Sequence, residues 1–161
     1  MKRAIYTSFF AVAILIITAS CSKKTPKLDE NKIAWTKLPI EATVEIARST
    51  EERAKGLKFR DYLKNDCGMY FIMEKEEIQS YWMKDTRISL DIAFIDSTNI
   101  IVSMKNMRAY DITGTSSDVP AKYALEMERG WFRDKGIVVG DKVVLDGDKV
   151  FFFRSSAVNG S

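Results

Sequence analysis

Trp82, Met83, Lys84, Thr86 and Asp91 bring an aromatic face, a thioether, a cation, a hydroxyl and a carboxylate into one short stretch, beside apolar strand-like segments. Alternation along an extended chain places Trp82 and Lys84 on one face and Met83 on the other. Two readings of this block stay open. In the first, Trp82 is partly buried, Lys84 pairs with an acid such as Asp91 or Glu126, and Asp91 closes a turn. In the second, Trp82 is the wall of a small-molecule pocket and Lys84, Thr86, Asp91 and Glu126 are its polar anchors. The chain of 161 residues has no histidine, which removes Ser-His-Asp and Cys-His centres, imidazole metal ligands and imidazole pH switches. Acid-base hydrolysis would fall to carboxylates, with Asp91, Asp96, Glu126 and Asp141 available and Asp91 and Glu126 central. The main expectation is a non-catalytic small-ligand-binding or accessory module; the alternative is a carboxylate-dependent hydrolase.

No cofactor or metal is expected. A calcium loop of twelve Asp-rich residues is missing. Met69, Met73, Met83, Met104, Met107 and Met127 are spread among strand-like segments and read as core rather than as a soft-metal cluster. Cys67 precedes Gly68 and reads as a small residue in a turn; with Cys21, the other cysteine, expected to be lipidated, it has no partner thiol for redox chemistry.

Hydrophobic residues at 46% and charged residues at 29% allow one packed domain. Its start is preceded by a targeting segment. Lys2 and Arg3 begin it, residues 9–17 form an unbroken apolar run, and Thr18-Ala19-Ser20 leads to Cys21. Ala19-Ser20-Cys21 resembles the lipobox of bacterial lipoproteins, with Thr18 in place of the usual leucine. This implies a signal peptide over residues 1–20, lipidation of Cys21 and a membrane partner through that lipid. The domain would then lie in the cell envelope outside the cytoplasm, facing a small molecule or another envelope protein. Removing Lys2 and Arg3 leaves 23 of the 25 basic side chains against 22 acidic ones, so the net charge of +3 does not argue for nucleic acid. Residues 21–40 read as a lysine-bearing tether, which would hold the domain roughly 20–30 Å from its anchor.

The elements that must position the Trp82 block are mostly strands. Residues 42–47 alternate with period two; Ser49 to Arg53 places capping residues before one helical turn ending near Gly56. Residues 69–73 and 78–83 are strand-like on either side of a Glu74 to Glu77 turn. Residues 92–95 and 100–104 form a hairpin around Asp96, residues 122–127 form another strand, and Trp131 to Lys135 forms a second helical turn. Asp146-Gly147-Asp148 joins residues 142–145 to 150–153 as a hairpin. The whole is expected to be mainly β, an antiparallel sandwich or barrel-like domain over residues 41–154 with one or two short helices and a frayed tail over residues 155–161.

Four segments carry a family resemblance. They are Glu51-x-Arg53-x-x-Gly56-Leu57-x-x-Arg60, Gly68-Met69-x-Phe71, Trp82-Met83-Lys84-x-Thr86-x-x-x-Leu90-Asp91-x-x-Phe94-x-Asp96, and Tyr123-x-Leu125-Glu126-x-x-x-Gly130 with Gly136-Ile137-x-x-Gly140-Asp141. In order and spacing the chain resembles the family called domain of unknown function 192, over residues of about 42 to 145. Asp85 stands where the family has asparagine, and the Phe-rich last strand runs past its usual end. The resemblance implies a compact, mostly β domain, often secreted or envelope-associated, and no established activity.

Overall fold

The computed structural model describes residues 33–156; the expected signal segment and Cys21 lie outside the described residues. Strand β1 (Trp35–Ala47), helix α1 (Thr50–Lys55) and strand β2 (Cys67–Glu77) form a parallel pair with a crossover, registered from Thr43 opposite Cys67 to Ala47 opposite Phe71. Two parallel neighbours require such a connection, because a tight turn would return the chain antiparallel. The helix starts as the sequence leads one to expect. Ser49 accepts from the Glu52 backbone N–H at 3.1 Å, and the Glu52 carboxylate accepts from the Ser49 N–H at 2.9 Å. Both otherwise unpaired donors of the first turn are thereby satisfied.

The remaining strands are β3 (Ser80–Tyr81), β4 (Leu90–Ile95), β5 (Ile101–Met107), β6 (Thr115–Ser116), β7 (Ala121–Glu128), β8 (Lys142–Asp146) and β9 (Lys149–Ser155), with a one-turn helix α2 (Trp131–Asp134) between β7 and β8. Seven of them make one mixed sheet in the order β5-β4-β7-β2-β1-β9-β8, and β3 pairs separately with β6. The sheet curls into a half-barrel. Its two edges meet at one end, where Ile100 bridges Lys142, the Ile101 N–H donates to the Asp141 carbonyl at 2.9 Å and the Val143 N–H donates to the Asn99 carbonyl at 2.8 Å. The curl pairs part of each edge strand and so reduces exposed backbone donors and acceptors.

Both faces of the central strands are apolar. One face draws side chains from all seven strands, including Val44, Tyr70, Ile95, Leu125, Val143 and Phe152, and is capped by Trp131 and Phe132 of α2. The other face belongs to β2, β7 and β4, with Phe71, Ile92, Phe94 and Ala124 lying under Leu57, Leu63 and Met83 from the crossover and the segment after β3. A fully buried Phe or Leu side chain contributes about 1.5–3 kcal/mol. Gly68 permits the close approach of β2 to β7: a Cβ there would lie 2.2 Å from the Glu126 carbonyl oxygen and 2.4 Å from Met127 Sδ. No other residue fits without parting the strands.

Several boundaries differ from expectation. Glu74 to Glu77 is not a turn but the exposed end of β2, and the strand-like stretch 78–83 shrinks to Ser80–Tyr81. The tether does not extend to residue 40, since β1 begins at Trp35, which pairs with Ser155. Ser155 in turn belongs to β9, and Arg154 is held by two hydrogen bonds to Asp141, so the tail begins later than residue 155. Cys67 opens β2 and is half-buried rather than in a turn. The sheet carries one parallel pair and is therefore mixed, and of the two expected architectures it takes the barrel-like one.

Candidate functional site

Glu126 sits in the middle of β7, opposite Met69 of β2 and Ile92 of β4. Its neighbours two residues along and across the sheet, Ala124 and Phe94, belong to the apolar face under the crossover, so strand alternation turns the Glu126 side chain into a hydrophobic layer. Only 5% of the residue is exposed. Its carboxyl has no hydrogen-bonding or charged partner among the described residues, and burial alone pushes its pKa from 4.5 up to about 8. At neutral pH the group is mostly a neutral acid. No fully enclosed side-chain oxygen lacks a partner among the described residues, so the Glu126 oxygens keep some accessible surface, and Glu126 lines a pocket.

That pocket, of about 40 Å³, lies between the sheet and its cover. Phe71, Leu90 and Met83 form its apolar wall and Glu126 is the only acid lining it. One water needs a cavity of roughly 10–15 Å³, so the pocket admits water or a small polar group. Tyr81 closes one side, its hydroxyl donating to Gln79 Oε1 at 2.9 Å, and burial together with the nearby Glu126 raises its pKa. Arg53 of α1 lines another side, fixed by donating to the carbonyls of Arg48 and Ile72. Lys55 and Lys58 complete the cationic rim. Trp82 stands at the mouth, 54% exposed, with the ammonium groups of Lys58 and Lys84 each 5.7 Å from its ring centroid.

The loop that presents Trp82 is tied down by backbone bonds: Met83 N–H to the Asp111 carbonyl at 2.7 Å, Thr86 N–H to the Met83 carbonyl at 3.1 Å, and Phe59 N–H to the Asp85 carbonyl at 2.9 Å. Asp85 has φ of +60°, a left-handed conformation that Asn and Asp tolerate better than most residues. This explains how aspartate serves where the family pattern has asparagine. Thr86 is buried and lines the pocket, while its hydroxyl is 3.5 Å from the Lys84 carbonyl.

Of the five residues expected to form one site, Trp82, Thr86 and Glu126 line this pocket, and Lys84 lies outside the lining, against Trp82. Asp91 is not near it. It neighbours Ala93 and Ile95 by parity, which face the other side of the sheet. There its carboxylate accepts from Asn106 Nδ2 at 2.6 Å and from the Gly130 N–H at 2.7 Å, with Arg129 at 3.7 Å. Asp91 therefore holds the turn before α2 and has no part in the pocket. The expected ion pair of Lys84 with Asp91 or Glu126 is also not formed; Lys84 instead lies against Trp82. Asp96 and Asp141 are engaged elsewhere, Asp96 by Thr98 and Ile100 of its own turn and Asp141 by Arg154. The separation of Asp91 from Glu126 depends on β4–β7 register, which no local pattern encodes. Arg53, Lys58 and Tyr81 were not anticipated as pocket residues, although Arg53-x-x-Gly56-Leu57 belongs to the motif set that carries the family resemblance.

A hollow of about 150 Å³ lies beside Ile46, Lys55 and Met69, and there are two wider grooves. One of about 400 Å³ is bordered by Arg60, Tyr62, Cys67 and Asp148, with Arg60 bonded to Glu45 at 2.5 Å and 2.8 Å. The other, of about 360 Å³, lies over Asp91, Asn106 and Ile137. Neither contains a buried polar side chain without a partner comparable to Glu126. No helix among the described residues is long and apolar enough to cross a membrane.

No functionally curated protein matches the chain. Solved structures do. A protein of unknown function from Novosphingobium aromaticivorans superposes with a TM-score of 0.62 at 35% identity, covering 63% of this chain and 74% of its own. A protein from Sinorhizobium meliloti, described provisionally as a transcription regulator, superposes with a TM-score of 0.61 at 31% identity, covering 63% of this chain and 79% of its own. The model of domain of unknown function 192, described as "Uncharacterized ACR", matches residues 32–145, which takes in the crossover, the pocket and every strand of the sheet up to β8 but not β9. The chain belongs to that family.

Proposed function

We propose that this protein is a non-catalytic small-ligand-binding module whose site is the Glu126 pocket, carried on a lipid-anchored domain of the bacterial cell envelope. The observation that carries the binding reading is Glu126: an ionisable side chain in an apolar layer, without a protein partner, facing a pocket with a cationic rim. Burying an unpaired carboxyl group costs stability. A fold maintained by packing alone would be better served by an apolar residue between Met69 and Ile92. A ligand group that completes the hydrogen bonding of Glu126 recovers that cost on binding. Trp82, exposed beside two lysines, supplies a face for the rest of the ligand. The hydrolase reading has no matching support. The pocket is lined by a single acid, and Asp91 faces the opposite side of the sheet.

A fragment screen by NMR on the full chain tests the site. Ligands should perturb the Trp82 indole N–H together with the Glu126 and Thr86 amides, and Trp82→Ala should weaken them about tenfold. Hits that perturb only the grooves beside Cys67 or Ile137 would move the function away from this pocket. The anchor rests on Ala19-Ser20-Cys21 and has its own test. Cys21→Ser is expected to release the protein from membranes or to leave an unprocessed precursor. An unmodified Cys21 in mature protein, read by mass spectrometry, would remove the lipid from the account.

A further inference from the structure

We infer that the group received by the Glu126 pocket is the carboxylate or carbonyl head of a small organic molecule, an oxygen acceptor that takes a hydrogen bond from the Glu126 carboxyl while the rest of the molecule lies against Trp82. This rests on the binding reading above and adds the ligand's chemical class. Three observations select the class. The first is size, since a pocket of about 40 Å³ exceeds the roughly 10–15 Å³ that one water requires and admits only a small polar head group.

The second is charge. The ionisable groups that line the pocket with Glu126 are Arg53 and Lys55 of α1, Lys58 after it, and Tyr81 beside β6; of these Tyr81 is the one on which the Glu126 charge acts, and Phe71 and Leu90 make the apolar part of the lining. Lys84 adds a further cation beside Trp82. A cationic ligand would approach against this rim, whereas an anion is drawn to it.

The third is hydrogen-bond polarity. A desolvated carboxyl stays protonated and has an O–H to give, and the pocket's other fixed polar groups, Arg53, Tyr81 and Thr86, already spend donors on protein acceptors. The partner missing from this pocket is therefore an acceptor.

Acetate, acetamide and methylammonium serve as probes, titrated into the full chain and followed at the Trp82 indole N–H and the Glu126 amide. Acetate and acetamide are expected to bind, and methylammonium is not. Wild-type affinity for acetate should fall about tenfold per pH unit above pH 8, as the shared proton is lost. Glu126→Gln keeps a neutral donor in place, and should bind acetate with no such fall. Lys58→Ala, a change at a half-buried position outside the core, should weaken acetate several-fold and spare acetamide. Methylammonium binding in preference to acetate would overturn the ligand class while leaving a binding pocket. A wild-type acetate affinity unchanged from pH 6 to pH 9.5 would overturn the proton-sharing contact. If no probe binds and the fragment screen also leaves Trp82 and Glu126 unperturbed, the binding reading itself falls.

Discussion

Glu126→Gln is expected to raise stability by less than about 1 kcal/mol near pH 5 and by on the order of 4–5 kcal/mol at pH 9, relative to the wild type. The folded protein holds the Glu126 proton up to about pH 8, whereas the unfolded chain releases it near 4.5. Between those values the native state binds more protons than the unfolded state, so stability falls as pH rises, and the loss is complete once pH passes the folded value. Glutamine resembles the protonated acid in size and in having a donor, and it does not titrate. The chain contains no histidine, so no imidazole blurs the window. Urea unfolding of both proteins at pH 5, 7 and 9 gives the difference directly. Parallel pH profiles for the two would show that Glu126 is hydrated or paired in the folded protein, and both the pocket and its ligand class would lose their basis.

Asp141→Ala is expected to cost about 3–5 kcal/mol through a different mechanism. Asp141 is fully buried where the two edges of the sheet meet. Its carboxylate accepts from Arg154 Nε at 2.8 Å and Nη2 at 2.6 Å and from the Val138 N–H at 3.0 Å. Deleting it leaves a guanidinium facing a vacant hole and an orphaned backbone donor, and it loosens the seam formed by Ile101 and Val143. Unfolding in urea should show the loss, and the Ile101 and Val143 amides should exchange with solvent faster. A cost below about 1 kcal/mol would mean that the edges are held together by packing alone.

Local structure was largely legible in the sequence where it is short-range. The capping box at Ser49 and Glu52, the Asp96 turn and the Asp146-Gly147 hairpin depend on residues a few positions apart, and all three form as expected. Charges misled the reading of β2. Glu74 to Glu77 continues the strand beyond the covered part of the sheet, where pairing with Ala121 holds the backbone and no hydrophobic alternation is required. The same reasoning covers Trp35 to Leu38, which is bound to β9 although its side chains are half-exposed or exposed.

The candidate site was legible in its parts and not in its assembly. Trp82, Lys84 and Thr86 come together through one loop. Whether Glu126 or Asp91 joins them is decided by the β4–β7 register, in which Ile92 faces Glu126 and Asp91 faces Met127. A shift of one residue would bring both acids to one face. The parallel β1–β2 pairing that brings Arg53 and Lys58 over the same strands is equally non-local.

Titration of the Glu126 side-chain carboxyl by ¹³C NMR, in the full chain without ligand, tests the account most directly. A midpoint near pH 8 is the predicted result, because burial is what raises it. A midpoint near 4.5 would show an ordinary solvated carboxylate and would contradict the claim that an unpartnered acid is held in this pocket for a ligand.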